Sequence, residues 1–464
     1  MASNTLVRST RVFLRTRRLP AGTRLAPMPA GADWFLGHLR LARHDAPGFL
    51  LRSTQQCGDV VRFRFGPMMA HLLARPEHVQ FVLADHHRAF SKQARGFEKL
   101  RPVLGNGLLN SEGEFWLRQR RTIQPMFDRR ALPQYGRIMA AAAADLAAEW
   151  DGRRGQTLDV AAEMMRLALK IVGLTLLDTD VTAGAGEVGE ALTWLMHETQ
   201  ARIFSIFDLR EKLPGGHNRK YRQKLAVLDV AVLRIIRERR AHPGGHDLVA
   251  QLLRAQDEQG NRMSDRQVRD EVMTIFLAGH ETTANLLSWT WMLLALHPQA
   301  ERRLRSELDG VLGGRAPDPS DCDALDYTRR VLQESLRLYP PAWFIPRAVL
   351  EDVTLDGYYL PQDSVVMLSP YVTHRLPQHW PDPERFDPDR FLPQQVEERH
   401  KWAYFPFGGG PRLCIGNHFA ILEATLIVAT LAQRFRLRLA GDQPVEHEAL
   451  ITLRPKGKLV MQLE

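Results

Sequence analysis

From Asp265 to Leu296 the chain runs for 32 residues without a proline, between Ser264 and the pair His297-Pro298. Ser264 followed three residues later by Gln267 has the form of a capping box, so a helix should begin there. An α-helix of that length extends about 48 Å and must cross the body of whatever fold contains it. In its middle stands AGHETT, Ala278 to Thr283. The small pair Ala278-Gly279 leaves space on one face, and an acid and two hydroxyls follow. A glycine inside a helix costs up to about 1 kcal/mol relative to alanine. It is either a tolerated glycine near a polar face or a place where a ligand approaches the backbone beside groups able to relay protons.

The rest of the pattern is mostly helical, with a smaller extended part. Strands are expected at DVVRFRF and AHLLAR, within residues 58–85, and again at VTLDGYYL and SVVMLS, within residues 346–370. Residues 111–300 are almost all helical in pattern, as are 417–435. Between residues 376 and 393, Pro377, Pro381, Pro383, Pro388 and Pro393 forbid both a long helix and a central strand, so this stretch must meander. The breaks at 241–247, 257–263 and 313–320 are short and read as loops inside one fold. The expectation is a single domain over residues 1–464, mainly α with a minor β portion, with residues 1–20 a flexible basic tail.

Composition narrows the function classes. Three cysteines, Cys57, Cys322 and Cys414, are too few and too scattered for a disulfide framework or a CxxC zinc site, which favours a reducing, cytoplasmic setting. The net charge of +9 suits an acidic partner or an anionic surface, but Lys and Arg run through the whole chain, so no nucleic-acid partner is expected. The N-terminal tail holds Arg8, Arg11, Arg15, Arg17 and Arg18 with apolar runs of two or three residues. That excludes a spanning membrane segment at this end and leaves a solvated tail or a weak contact with anionic lipid.

Cys414 lies in FPFGGGPRLCIG, Phe405 to Gly416. A buried inert thiol, a nucleophile and a metal thiolate are the alternatives. A nucleophile needs a base, and His418 has no third group to orient it. A thiolate on iron explains more: glycines let the backbone bend around the sulfur and aim amides at it, which tunes the metal's potential. Arg412 would meet an anionic part of the cofactor.

These residues resemble the cytochrome P-450 family. Phe407, Gly410, Arg412, Cys414 and Gly416 fit its FxxGxRxCxG haem loop. Glu334 and Arg337 match its ExxR pair, and Arg385, in PERF, matches the third member of its Glu-Arg-Arg triad. AGHETT matches the oxygen-binding motif, and Trp116 and Arg120 match WxxxR. The resemblance covers nearly the whole chain. It implies the P-450 fold, with a large helical lobe, a small β-rich lobe and a long central helix. It implies haem b with the Cys414 thiolate as axial iron ligand, and Trp116, Arg120, Arg347 and Arg412 at the propionates. Phe407, Gly410 and Ala278 would border the cofactor.

The activity so implied is a monooxygenase that inserts one atom of O2 into an apolar small molecule such as a fatty acid or terpenoid. Thr282 and Glu281 would steer water and protons to the distal oxygen. Phe276, Ala278, Leu108, Leu109, Trp343, Phe344, Ile345 and Ile451 are candidates for the substrate pocket. Electrons would come from a separate acidic ferredoxin or flavodoxin, because the chain shows no flavin, ferredoxin or dinucleotide motif. The exposed candidates for that contact are Arg118, Arg121, Arg129 and Arg130. A peroxide-driven or non-oxidative enzyme of the same fold, and a non-enzymic haem sensor, are the alternatives; the intact Glu281-Thr282 pair argues against both.

Overall fold

A computed structural model describes residues 19–179, 185–205, 215–242, 247–256, 260, 262–441 and 444–464. The first eighteen residues, which hold all five tail arginines, lie outside it, as does most of the 241–247 and 257–263 breaks. The expected central helix is present with the expected ends, Asp265–Leu296, and the Ser264 hydroxyl accepts a 3.2 Å bond from the Gln267 amide. From Val268 to Leu294 nearly every side chain is buried. The helix is therefore buried all round and central, with polar groups such as Glu271, His280, Glu281 and Asn285 buried beside its apolar ones. It packs against the helices Val160–Leu176, Asp326–Leu338 and Asn417–Arg434. Gly279 permits the first of these contacts: a Cβ there would stand 3.0 Å from Val172 Cγ2. The glycine thus serves helix packing, and the open position beside it is Ala278.

The expected strands also form. Val60–Phe65 and Met68–Leu73 make an antiparallel hairpin, Val60 opposite Leu73. Met68–Leu73 then pairs in parallel with Val365–Leu368, which pairs antiparallel with Ile345–Val349, and Phe90–Ser91 closes the far edge. VTLDGYYL is a separate hairpin, Val353–Leu355 with Tyr358–Leu360, turned at Asp356 and Gly357, both of positive φ. The meander is irregular, as its prolines require, apart from one short 3₁₀ turn and the start of a six-residue helix. The sheet and the helical body together hold the cysteine loop between them: Gly410 lies over Leu83, and Cys414 precedes the Asn417–Arg434 helix.

Candidate functional site

The cysteine loop is closed by two backbone bonds, Gly408 N to Phe405 O at 2.9 Å and Cys414 N to Phe407 O at 3.0 Å. Gly410 has φ +62°, and a Cβ on it would fall 1.7 Å from the Leu83 carbonyl oxygen, so no other residue fits. The loop delivers Cys414 three residues ahead of a long helix, where the N-terminal dipole favours negative charge on sulfur. Burial pushes the thiol up; the Gly416 amide, which donates to sulfur, and the Arg120 guanidinium pull it down. Cys414 is exposed by area yet desolvated by surrounding protein, so it faces an interior hollow and not the outer surface. The other two cysteines differ: burial raises Cys57, and burial with nearby Asp321 pushes Cys322 up to about 12.

The central helix contributes a stripe of the same kind. Between Val268 and Leu294 only Arg269, Gly279 and Thr282 are half-exposed and only Ala278 is exposed. Accessibility in the middle of a buried helix means that Ala278 and Thr282 border a hollow. The Thr282 hydroxyl donates to the Ala278 carbonyl at 2.7 Å, which leaves its oxygen free to accept from a ligand or water. Glu281 points elsewhere. Its buried carboxylate accepts from Thr452 Oγ1 at 2.7 Å, and Thr452 accepts from Asn285 Nδ2 at 3.1 Å.

A cluster of cations lies between the helix Gly113–Ile123 and the sheet. The Arg412 guanidinium stacks on Trp116 at 3.8 Å, donates to the Ser111 carbonyl at 2.9 Å and pairs with Glu112 at 3.0 Å. Its Nη1 is buried with no hydrogen-bond partner. Arg347 is buried, and burial and Arg412 bring it down to about 10. Lys92 is buried too and falls well below its ordinary range through burial, Arg347 and Arg412. The buried Lys92 and Arg347 and the half-buried Arg412 thus share one carboxylate, that of Glu112. Uncompensated buried charge costs several kcal/mol per ion. The cluster therefore fits a ligand with two negative charges, as haem carries in its propionates. Arg120 stands at the cysteine side: its Nη1 donates to the Leu413 carbonyl at 2.9 Å, tying this helix to the loop. Phe407 is half-buried against the core.

Sequence reasoning passed over Lys92, Glu112 and Thr452. It also placed the third member of the triad wrongly. Glu334 and Arg337 form a fully buried bidentate pair, at 2.7 and 2.8 Å. Arg337 then donates to the carbonyls of His374, Pro383 and Arg385. Arg385 contributes that carbonyl alone, its side chain being exposed. The second arginine beside Glu334 is Arg390, whose Nε stands 3.5 Å from Oε1.

A cavity of about 480 Å³ opens between the sheet, the helix Arg95–Leu104 and the C-terminal strands. Trp343, Phe344 and Ile451 line it as expected; Phe276, Leu108, Leu109, Ile345 and Ala278 do not. Phe276 and Leu108 are core residues. The only cation in its described lining is Arg95, which donates to the carbonyls of Ile203, Arg202 and Ser205. Two acids, Glu98 and Asp363, line it as well.

The Cytochrome P450 family profile matches residues 27–461. Cyclooctatin synthase of Streptomyces melanosporofaciens is 40% identical over 428 residues, which is 89% of this chain and 93% of that protein. Pentalenene oxygenase of Streptomyces avermitilis is 36% identical over 419 residues, 90% and 92% of the two chains. The crystal structure of the cytochrome P450DA heme domain superposes with a TM-score of 0.87 at 30% identity, covering 95% of this chain and 98% of that one.

Proposed function

Since the chain belongs to the cytochrome P450 family of haem-thiolate monooxygenases, we propose that it oxygenates a neutral, polycyclic terpenoid with electrons from a separate acidic carrier protein. Cys414 is the residue proposed as the iron ligand. The observation that carries this assignment is the sulfur's position at the wall of a hollow, with the Gly416 amide and Arg120 favouring its thiolate. Lys92, Arg347 and Arg412 would hold the propionates, with Trp116 as the plate on which Arg412 rests.

Haem, when bound, supplies the binding of O2 and its reductive activation. The chain's own residues do the rest. Thr282 sits on the hollow with a hydroxyl that donates to Ala278 and whose oxygen can accept from a water, so it would hold a water in place for proton delivery. Glu281 is turned away from Thr282 onto Thr452, so it would act through the Thr452–Asn285 network and not by direct contact with the threonine. The mainly apolar cavity, lined by Trp343, Phe344 and Ile451, would orient the substrate by shape.

The cavity supports a neutral substrate over a fatty acid. A carboxylate would meet Glu98 and Asp363, while the guanidinium of Arg95 is already engaged by three carbonyls. Two relatives point the same way in their names: pentalenene oxygenase, and cyclooctat-9-en-7-ol 5-monooxygenase of Streptomyces melanosporofaciens. The test is a titration of the holoenzyme with neutral cyclic terpenes and with fatty acids while following the haem Soret band. Neutral terpenes should shift it and then turn over with a ferredoxin and reductase, but not on peroxide alone. A shift caused only by fatty acids would overturn the substrate reading. A thiolate-type carbon monoxide band surviving in Cys414→Ala would overturn the ligand assignment.

A further inference from the structure

The cysteine loop has two ends, and each is tied to a different part of the fold. At the far end Arg120 Nη1 donates to the Leu413 carbonyl, and Arg412 Nη2 to that of Ser111, both at 2.9 Å. At the near end the Phe405 amide donates to Nε2 of His374 at 3.0 Å. His374 is fully buried. Its other ring nitrogen, Nδ1, stands 3.3 Å from the Arg337 carbonyl, and its own carbonyl accepts from Arg337 Nη1 at 3.0 Å. Arg337 thus holds His374 by two bonds, and Glu334 holds Arg337 by two more.

These partners fix the state of the ring. A carbonyl can only accept, so Nδ1 carries the proton; an amide can only donate, so Nε2 is bare. A protonated ring would set an N–H against the Phe405 N–H. The surroundings agree: burial, with Arg337, Arg375 and Arg399 close by, holds the imidazole well below its ordinary range. The ring cannot turn away either. It stacks on Tyr404, with centroids 5.2 Å apart, and stands edge-on to Phe405 at 5.4 Å. Its chain neighbours are anchored: the Thr373 hydroxyl donates to the Ala74 carbonyl, and Arg375 Nη2 to the Leu338 carbonyl, both at 2.7 Å.

Beyond Phe405 the loop holds itself. The Phe405 carbonyl accepts from the Gly408 amide, and the Phe407 carbonyl from the Cys414 amide. We infer that His374 is a positioning residue for the Cys414 thiolate: it hangs the near end of the cysteine loop from the buried Glu334–Arg337 pair, and through Phe405 and Phe407 it sets how the sulfur is presented to the hollow. This rests on the reading of Cys414 as the iron ligand. It gives the buried ion pair a part in the site, because Arg337 grips His374 at both its carbonyl and its ring.

The experiment uses the full-length holoprotein and three substitutions. His374→Gln puts an amide oxygen near the position of Nε2 and keeps an acceptor for Phe405. His374→Asn puts its amide near Nδ1 and keeps only the bond to Arg337. His374→Phe keeps a ring and neither bond. The reduced carbon monoxide complex is followed over time in mild denaturant, and the haem reduction potential is measured beside it. In the Asn and Phe variants the buried Phe405 N–H is left unpaired, so the thiolate-type band should give way to a thiol-type band at least about fivefold faster than in the parent. Their potentials should also move, which a support of the fold alone would not cause. The Gln variant should stay close to the parent in both measurements. The Gln and Asn variants decide the matter by themselves if the Phe variant does not fold. Parent-like behaviour throughout, or equal damage in Gln and Asn, would overturn the inference. If Cys414→Ala loses the thiolate-type band while the His374 series is inert, this inference fails and the ligand assignment stands.

Discussion

Arg390 Nε stands 3.5 Å from Glu334 Oε1, and the same oxygen accepts from the Asp387 amide at 2.9 Å. Glu334 is fully buried, so its charge is sustained by Arg337, Arg390 and that amide together. Removing every partner of a buried ion would cost about 3–5 kcal/mol; loss of Arg390 alone leaves Glu334 its bidentate Arg337 and costs part of that. Arg390→Leu should therefore lower thermal stability and release haem. Arg385→Leu should do neither, since only the Arg385 carbonyl is used. Unfolding curves and haem content of the two variants decide it; equal damage from both would contradict the assignment.

Glu271 gives stability a pH dependence. It is completely buried, accepts from the Leu108 amide at 2.8 Å and has Asp270 beside it. Burial moves its carboxyl from 4.5 up to about 8. The folded chain thus holds this proton more tightly than the unfolded one. Its contribution is intact below about pH 4.5 and declines by at most about 1.4 kcal/mol per unit as pH rises toward 8. Glu271→Gln keeps an acceptor for Leu108 and removes the titration. The variant should match the parent near pH 5 and exceed it near pH 8 in denaturant unfolding. A parallel pair of pH profiles would show that the group ionises freely in the fold.

Much of this architecture is legible in the chain because local chemistry fixes it. Ser264 and the His297-Pro298 pair bound the central helix whatever packs around it. Strand alternation and the Asp356-Gly357 turn define the hairpins. Pocket lining is harder to read. The central helix is buried on every face, so periodicity cannot separate Ala278, on the hollow, from Phe276, in the core. PERF and PDRF offer two arginines five residues apart in the same local pattern, and only the path of the chain brings Arg390 to Glu334. Lys92 and Glu112 have no local signature; their role comes from contacts with Arg347 and Arg412, far along the chain.

Gly279 and Val172 should behave as a coupled pair. Gly279→Ala places a methyl 3.0 Å from Val172 Cγ2 in a tightly packed interface, which costs about 1–3 kcal/mol. Val172→Ala opens a small cavity of its own. The double variant should be less destabilised than the two singles added together. Simple additivity in thermal unfolding would mean that the glycine is not there for this contact.

Thr282→Ala removes the one hydroxyl that this stripe presents to the hollow. The variant should bind haem and consume reductant at close to the parent rate. More of the electrons should then leave as hydrogen peroxide and fewer as product. Thr283→Ala is the control, because Thr283 is buried and bonded to the Gly279 carbonyl at 3.2 Å. Product per electron that is unchanged in Thr282→Ala would remove the residue from proton delivery.

The electron donor should dock by charge. Arg118, Arg121, Arg129 and Arg130 are all exposed on or just after the Gly113–Ile123 helix. Arg120 of the same helix turns inward to the Leu413 carbonyl, beside Cys414, so this surface lies close to the sulfur. A basic face there steers an acidic ferredoxin, and salt screens the attraction over roughly 8–10 Å. The measurement is the second-order rate of haem reduction by such a ferredoxin across a range of ionic strength. Arg121→Glu or Arg130→Glu should slow it at low salt, and the difference should vanish at high salt, because steering acts on encounter and not on the electron-transfer step. A rate indifferent to both salt and these substitutions would place the donor on another face or on an apolar contact.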